Sequence, residues 1–171
     1  MCRGDANILG NDALAKVAQR NLEAVGGFRY TEEERHFGEE LQKSLPPGGA
    51  QALDSTTSVQ PLRAPDPNAA AASTDVGDVS WNVPTIGFLT ATFVPGVGAH
   101  TWQAAASAGT SIGQKGMIVA AKALAVTAAD LFSNRQLIAD AKTDFQRQIQ
   151  GKPYKSVIPA GQTPPLRYRD K

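Results

Sequence analysis

Cysteine is almost absent from this chain of 171 residues, so an internal disulfide framework is excluded and a reducing compartment is expected. The only one, Cys2, is expected to be an incidental thiol. Aromatic residues make up 6% of the sequence and the net charge is +1, a balance that argues against nucleic-acid or acidic-membrane partners. The sequence shows no signal-peptide pattern and no apolar run near the ~18 residues of a transmembrane helix. We therefore expect a soluble, cytoplasmic chain.

The motifs of common enzyme classes are also missing. The sequence has no CxxC, HExxH, GxSxG or Walker loop, and Gly96 and Gly98 match only the first half of a dinucleotide fingerprint. A nucleophilic Ser73, Ser80 or Thr101 would need a positioned base, and only one histidine lies nearby in the sequence. Sequence motifs alone therefore identify no catalytic residue in this chain.

Apolar periodicity predicts helices over residues 11–25, 31–45, 112–132 and 134–149. The second begins with Thr31 and three glutamates, which is a capping-box pattern. The third is apolar on most sides, so we expect it to be buried or to face another subunit or domain. Its apolar positions include Met117, Ala121, Leu124, Ala128 and Leu131.

Residues 83–94 predict an interior β-strand. Apolar or β-branched residues occupy both faces, which indicates a strand covered by helices as in α/β proteins; they are Ile86, Phe88 and Val94 on one face, and Leu89, Ala91 and Phe93 on the other. A single strand cannot satisfy its own backbone edges. Its neighbours must come from weak strands in the crossing before it or from sequence absent here, and we favour absence. The predicted fold class is α/β with a partial central sheet.

The stretch before this strand, residues 46–72, loses all periodicity and contains several prolines. Structureless loops of this length are uncommon inside compact domains. The stretch is a lid, a linker, or a crossing whose supporting partner is missing. The end of the chain, residues 151–171, is predicted to be extended.

His100 is the leading candidate for a site residue. It follows the turn Pro95-Gly96-Val97-Gly98 just after the predicted strand, and neutral imidazole is a common ligand for zinc and related ions. A hydrogen-bonded loop histidine is the alternative interpretation. The other histidine, His36, lies among glutamates and is expected on a solvated helix face.

Acids and tryptophans flank the same strand. Asp75 and Asp78 suit acid–base or supporting roles, and they equally suit helix caps and turns. Trp81 and Trp102 could line a pocket for an aromatic or acyl group, or pack in a core. Neither alternative is decided by spacing alone.

Four blocks in order carry a family resemblance: Ser73-Thr74-Asp75-Val76-Gly77-Asp78-Val79-Ser80-Trp81, then Pro84-Thr85, then Gly98-Ala99-His100-Thr101-Trp102-Gln103, then Lys115-Gly116-Met117 opening an alanine-rich helix. Together with residues 21–27 they resemble the C-terminal part of the metal-dependent amidohydrolases related to aminoacylase and carboxypeptidase G, in particular their p-aminobenzoyl-glutamate hydrolase branch. The resemblance covers about residues 11–167.

The resemblance implies the C-terminal portion of a zinc-exopeptidase-like catalytic domain. Residues 1–45 would leave a dimerising lid domain, 46–82 would form the crossing, 83–150 the last catalytic strand and helices, and 151–171 a tail. Such enzymes hold two divalent metals, zinc or manganese, and hydrolyse amide bonds of N-acyl or aroyl amino acids or dipeptide-like substrates. His100 matches the family's C-terminal metal ligand, and Thr74 and Asp75 match its substrate-pocket turn.

The departure from the family is large. Its remaining metal ligands and its general-base glutamate have no counterpart here, and residues 32–34 are expected on a solvated helix start. One histidine cannot hold two ions, since even a single catalytic zinc usually takes three protein ligands. We therefore expect an incomplete chain that neither hydrolyses substrate nor holds metal alone. The alternative is a non-catalytic subunit that completes a partner chain.

Overall fold

A computed structural model describes residues 7–63, 74–156, 158–163 and 166. Across these residues the chain forms a series of helices and no β-strand. In chain order they are α1 (Asp12–Val25), α2 (Glu32–Gln42), a 3₁₀ helix (Leu53–Thr57), α3 (Val76–Ser80), α4 (Trp102–Ala108), α5 (Ser111–Ser133) and α6 (Arg135–Ile149). Cys2, Ser73 and much of the proline-rich crossing lie outside the described residues.

The predicted α/β fold with a partial central sheet is wrong for the part of the chain that the structure describes. Residues 84–92 have neither helical nor strand structure, and Leu89 is 97% exposed. No backbone N–H of residues 87–91 donates a hydrogen bond to another described residue. A strand requires a neighbour to accept its backbone hydrogen bonds, and the described residues provide none there. The alternating apolar pattern indicates burial on both faces, but it does not show whether a neighbouring strand is present.

The four predicted helices are confirmed, each to within about two or three residues at its ends. The capping box at the start of α2 is present: the Thr31 side chain accepts from the Glu34 N–H at 3.2 Å, and the Thr31 N–H donates to the Glu34 carboxylate at 2.7 Å. Threonines also cap two later helices, Thr101 at α4 and Thr110 at α5. The short helices α3 and α4 were not predicted, because 5 and 7 residues are too few to show a period.

The described residues divide into two units. The central unit comprises residues 16–62 and 87–134, and its core joins Tyr30, Leu41, Leu53, Val94 and Ile112. Glycine permits two close backbone approaches in this unit: a Cβ atom at Gly27 would lie 2.0 Å from the Thr56 carbonyl oxygen, and one at Gly113 would lie 2.3 Å from that of Ala108. The central unit is therefore held together at backbone-to-backbone contacts as well as by side chains.

The terminal unit comprises the described residues of 7–15, 63–86 and 135–166. Here the first turn of α1 is tied to α6, because the Asn11 amide donates to the Ala141 carbonyl at 2.9 Å and the Asp12 N–H donates to the Asp144 carboxylate at 2.6 Å. Ser80 is fully buried and accepts from the Leu9 N–H at 2.8 Å. These contacts fasten α1, α3 and α6 through polar groups rather than through a large apolar core.

Helix α5 departs from the usual pattern of a surface helix. Its buried positions include Ile112, Gly116, Ala123 and Thr127, which recur on one side. Several large apolar side chains on its other sides are exposed. By length and composition α5 is also the one helix of the described residues that could cross a membrane, a property shared by core helices of soluble proteins.

Candidate functional site

The segment that carries His100, residues 94–101, is anchored firmly where it leaves the core. Val94 is buried, and its N–H donates to the Ser107 hydroxyl at 3.3 Å. The Gln42 amide, from α2, donates to the Pro95 carbonyl at 2.8 Å. Both contacts come from helices, so the start of this turn is fixed by rigid elements.

Backbone packing fixes the rest of the turn. Gly96 has φ +92°, and a Cβ atom there would lie 2.1 Å from the Gly49 carbonyl oxygen, so only glycine fits without a shift. At the far end the Thr101 hydroxyl donates to the Gly98 carbonyl at 2.8 Å while capping α4. The predicted Gly-rich turn therefore exists, and Gly96 serves a close backbone approach.

His100 itself is exposed and adopts φ +62°, in the left-handed region. A non-glycine residue in that region pays about 1 kcal/mol or more of local strain, and such residues cluster at functional sites. The imidazole is thus presented on an anchored turn, in a backbone conformation that a glycine would adopt more easily. The role of His100 as a metal ligand stays a prediction.

The described residues do not by themselves fit a metal ion. Among them, no group of three or more His, Cys, Asp or Glu side chains lies close enough to hold one. His100 could supply one nitrogen ligand, and a catalytic zinc usually takes three protein ligands. Further ligands would therefore have to come from outside the described part of the chain.

Thr74 and Asp75, the residues matched to a substrate-pocket turn, lie in the terminal unit, whereas His100 lies in the central unit. The Thr74 hydroxyl accepts from the Val76 N–H at 3.3 Å. Asp75 is exposed at the N-cap position of α3, and its side chain makes no capping hydrogen bond there. Asp78 is partly buried in α3, where its carbonyl accepts from the Asn82 amide. These residues form a helix start, and the Asp75 carboxylate remains available to a ligand.

The two tryptophans differ in environment. Trp81 is partly buried, and its indole N–H donates to the Asn7 carbonyl at 2.8 Å, so it has a structural role in the terminal unit. Trp102, the first residue of α4, is 64% exposed and lies two residues beyond His100. A pocket role therefore remains a prediction for Trp102 alone.

The sequence interpretation missed a buried charge at Glu34. Glu34 is only 7% exposed, and its carboxylate accepts from Lys115 Nζ at 2.5 Å and from the Ser111 hydroxyl at 2.6 Å. The expectation of a fully solvated helix start was wrong at this position. No spacing rule links residues 34 and 115, so the sequence alone could not indicate this pair.

The electrostatics of this pair follow from burial and hydrogen bonding. Burial alone would raise the pKa of Glu34, but hydrogen bonds from Lys115, Ser111 and the Thr31 N–H outweigh it and hold the pKa below its ordinary value. Burial, with the Glu34 charge second, raises the pKa of Tyr30 to about 12. The carboxylate is therefore ionised and paired, which suits a clamp between α2 and α5 and not a general base.

Comparison with known proteins gives an informative match. The chain is 32% identical, over an alignment 188 positions long, to a subunit of the p-aminobenzoyl-glutamate hydrolase of Escherichia coli strain K12. The match covers 95% of this chain and 39% of that protein, so the chain spans about two fifths of its relative's length. No family profile matches the chain, and no solved structure matches it. The resemblance identified in the sequence is thereby confirmed.

Proposed function

We propose that this chain is the C-terminal, His100-bearing portion of an amidohydrolase of the p-aminobenzoyl-glutamate hydrolase type. The observation that carries the proposal is the 32% identity across 95% of the chain. In the assembled enzyme the reaction is hydrolysis of an amide bond in an N-acyl or aroyl amino acid. The catalytic base and most metal ligands lie on a segment that this chain does not supply.

In this proposal His100 contributes one ligand to a divalent metal, zinc or manganese, of the assembled site. Its support is the exposed imidazole at φ +62° on a turn fixed by α2 and α4. In its neutral form imidazole is a common ligand for such ions. When bound, the metal would polarise the amide carbonyl and activate water.

Thr74 and Asp75 are proposed to contact the substrate. The Asp75 carboxylate is exposed at the start of α3 and makes no capping hydrogen bond, so it is available to a ligand. The Thr74 hydroxyl is already used within the turn, where it fixes the backbone that presents Asp75. Asp75 is therefore the better candidate of the two for a direct contact.

The remaining part of the enzyme is proposed to come from a partner polypeptide. The relative is named as one subunit of a hydrolase, which implies a complex, and most of its length has no counterpart here. A second copy of the same chain would duplicate His100 without adding the missing acids. A complementing chain is therefore the more effective partner for hydrolysis.

The test is complementation with the part of the Escherichia coli relative that this chain does not match. We expect the 171-residue chain alone to show no hydrolysis of p-aminobenzoyl-glutamate and no stoichiometric zinc. Co-expression with the complementing part is expected to restore both. His100→Ala in the co-expressed complex should abolish hydrolysis, while His36→Ala, at the outward-facing histidine of α2, should leave it unchanged. Turnover by the isolated chain that is lost on His100→Ala would overturn the proposed incompleteness.

A second function is supported by the exposed apolar side chains of α5, among them Phe132 at 89% exposure. Large exposed apolar patches mark interfaces, so the chain could be a non-catalytic subunit that completes a partner. The same experiment separates the two: a complex whose hydrolysis is unaffected by His100→Ala would show an assembly role without a catalytic one.

A further inference from the structure

Five positions of α5 form an exposed apolar stripe that we name the α5 seam. Its members recur every three or four residues and all are exposed: Met117, Ala121, Leu124, Ala128 and Phe132. The three large side chains are 57%, 58% and 89% exposed in chain order. At 1.5 Å per residue the seam is about 22 Å long, or about four helical turns.

The seam is distinct from the side by which α5 packs in the central unit. That packed side is formed by Ile112, Gly116, Ala123 and Thr127, all buried. A surface helix of a soluble protein normally carries one apolar stripe and a polar remainder. Helix α5 carries two, and only one is covered among the described residues.

The spacing of the seam suits another helix. Intervals of three and four residues are those of packed helix pairs, and the alanines at 121 and 128 alternate with larger side chains, which allows close approach. A bilayer is the poorer occupant. Lys115 pairs with Glu34 and Asp130 pairs with Arg20, so α5 is attached near both ends to charged residues of other helices.

A second observation in the central unit points the same way. Residues 87–91 donate no backbone hydrogen bond to described residues, and Leu89 is 97% exposed. We name this segment the open edge. Backbone N–H groups that lack an acceptor among the described residues can bond to acceptors that another chain supplies. Among the described residues, the seam and the open edge thus leave both apolar surface and backbone groups uncovered.

We propose that the α5 seam and the open edge are the docking surface for one partner, the polypeptide equivalent to the unmatched part of the hydrolase relative. The inference rests on the proposed function and names the surface by which the complementing chain is held. It commits to that occupant because 95% of this chain aligns with only 39% of the relative. The relative therefore contains a counterpart of most of this chain together with a long segment that has no counterpart here.

The experiment captures the full chain with a tagged polypeptide made of the unmatched part of the Escherichia coli relative. We expect capture, and we expect Leu124→Glu combined with Phe132→Glu to weaken binding by at least about tenfold, as for central interface residues. Lys122→Glu is the matched control, since it changes charge on another side of the same helix and should bind normally. All three side chains are exposed, so circular dichroism and thermal unfolding should show intact folding in each variant.

Hydrogen exchange reports the open edge directly. In the chain alone, the amides of residues 87–91 should exchange rapidly, and in the complex they should be protected. Seam-dependent capture without this protection would overturn the statement that the same partner covers the open edge. Capture that is insensitive to the double substitution would overturn the assignment of the seam.

Other occupants give distinguishable results. A dimer of the chain alone in sedimentation experiments, abolished by Leu124→Glu, would assign the seam to a second copy and overturn the proposal. Binding of the chain to phospholipid vesicles through the seam would do the same in favour of a membrane. Failure of the proposed function gives a different result. A complex that depends on the seam but shows no hydrolysis would overturn the enzyme assignment and support the docking surface. A complex that hydrolyses substrate but does not depend on the seam would support the enzyme assignment and overturn the docking surface.

Discussion

Gly116 of α5 lies against the backbone of Ala91: a Cβ atom at position 116 would come within 2.3 Å of the Ala91 carbonyl oxygen. The same atom would lie 3.0 Å from the Thr92 side chain. The chain therefore crosses α5 at backbone contact at Ala91, the last residue of the open edge. A glycine within a helix normally lowers its stability, so this one is explained by the crossing.

Gly116→Ala is accordingly expected to destabilise the chain by about 1–3 kcal/mol, because the added methyl group overpacks a contact made by backbone atoms that cannot rotate away. Urea unfolding followed by circular dichroism measures the change. Gly87→Ala is the matched control, since no atom lies within 4 Å of a Cβ atom there. If the two variants unfold at the same urea concentration, the crossing does not constrain α5.

The Glu34–Lys115 pair gives a second prediction. Glu34→Gln removes the charge that accepts from Lys115 and Ser111, and we expect a loss of about 1–2 kcal/mol at pH 7, less than for a fully buried pair because Lys115 is partly exposed. Glu33→Gln, one position earlier on the exposed side of α2, is the control and should change little. Equal stability of both variants would show that the pair contributes nothing.

The same pair predicts a pH dependence. The folded-state pKa of Glu34 lies below its unfolded value, so its contribution is complete above the unfolded pKa and is lost as the pH falls through the folded pKa. The difference in unfolding free energy between the parent chain and Glu34→Gln should therefore be constant above about pH 5 and shrink below about pH 4. A difference that persists unchanged at pH 3 would contradict this.

The helices could be predicted because their signals are local. The period of Leu14, Val17, Ala18 and Leu22 in α1, and the capping box at Thr31, depend only on neighbouring residues. The bounds of α5 and α6 followed from the same kind of pattern. The prediction that failed was the β-strand over residues 83–94, because a strand depends on partners that are distant in the sequence.

Residues 83–94 show why. Apolar residues on both faces, such as Phe88, Leu89 and Phe93, indicate burial, and burial alone cannot supply the hydrogen bonds of a sheet. The anchors of the His100 segment were equally hidden, since Gln42 and Ser107 reach it from helices outside the turn itself. The histidine and its glycine turn could be identified, and the residues that hold them could not.

The start of α1 provides a fourth prediction. Asp144 accepts from the Asp12 N–H at 2.6 Å and is held by Arg147, so its carboxylate caps a helix from outside that helix. Asp144→Ala is expected to cost about 1–2 kcal/mol, as for the loss of a good N-cap. Asp140→Ala, at an exposed position of α6, is the control and should stay within about 0.5 kcal/mol. Equal effects of the two would contradict the capping role.

His100 allows stability and function to be separated. Glycine adopts a positive φ without a Cβ clash, so at φ +62° we expect His100→Gly to be more stable than His100→Ala by about 1 kcal/mol. At His36, within α2, the order should reverse, because glycine disfavours a helix interior by about 1 kcal/mol relative to alanine. Thermal unfolding of the four variants tests both signs, and the same order at the two positions would contradict a strained His100. In the complemented enzyme, both His100 variants should lose hydrolysis although glycine relieves the backbone. His100→Gly would then relieve backbone strain and abolish hydrolysis at the same residue. That combination is expected where a functional side chain occupies a strained backbone position.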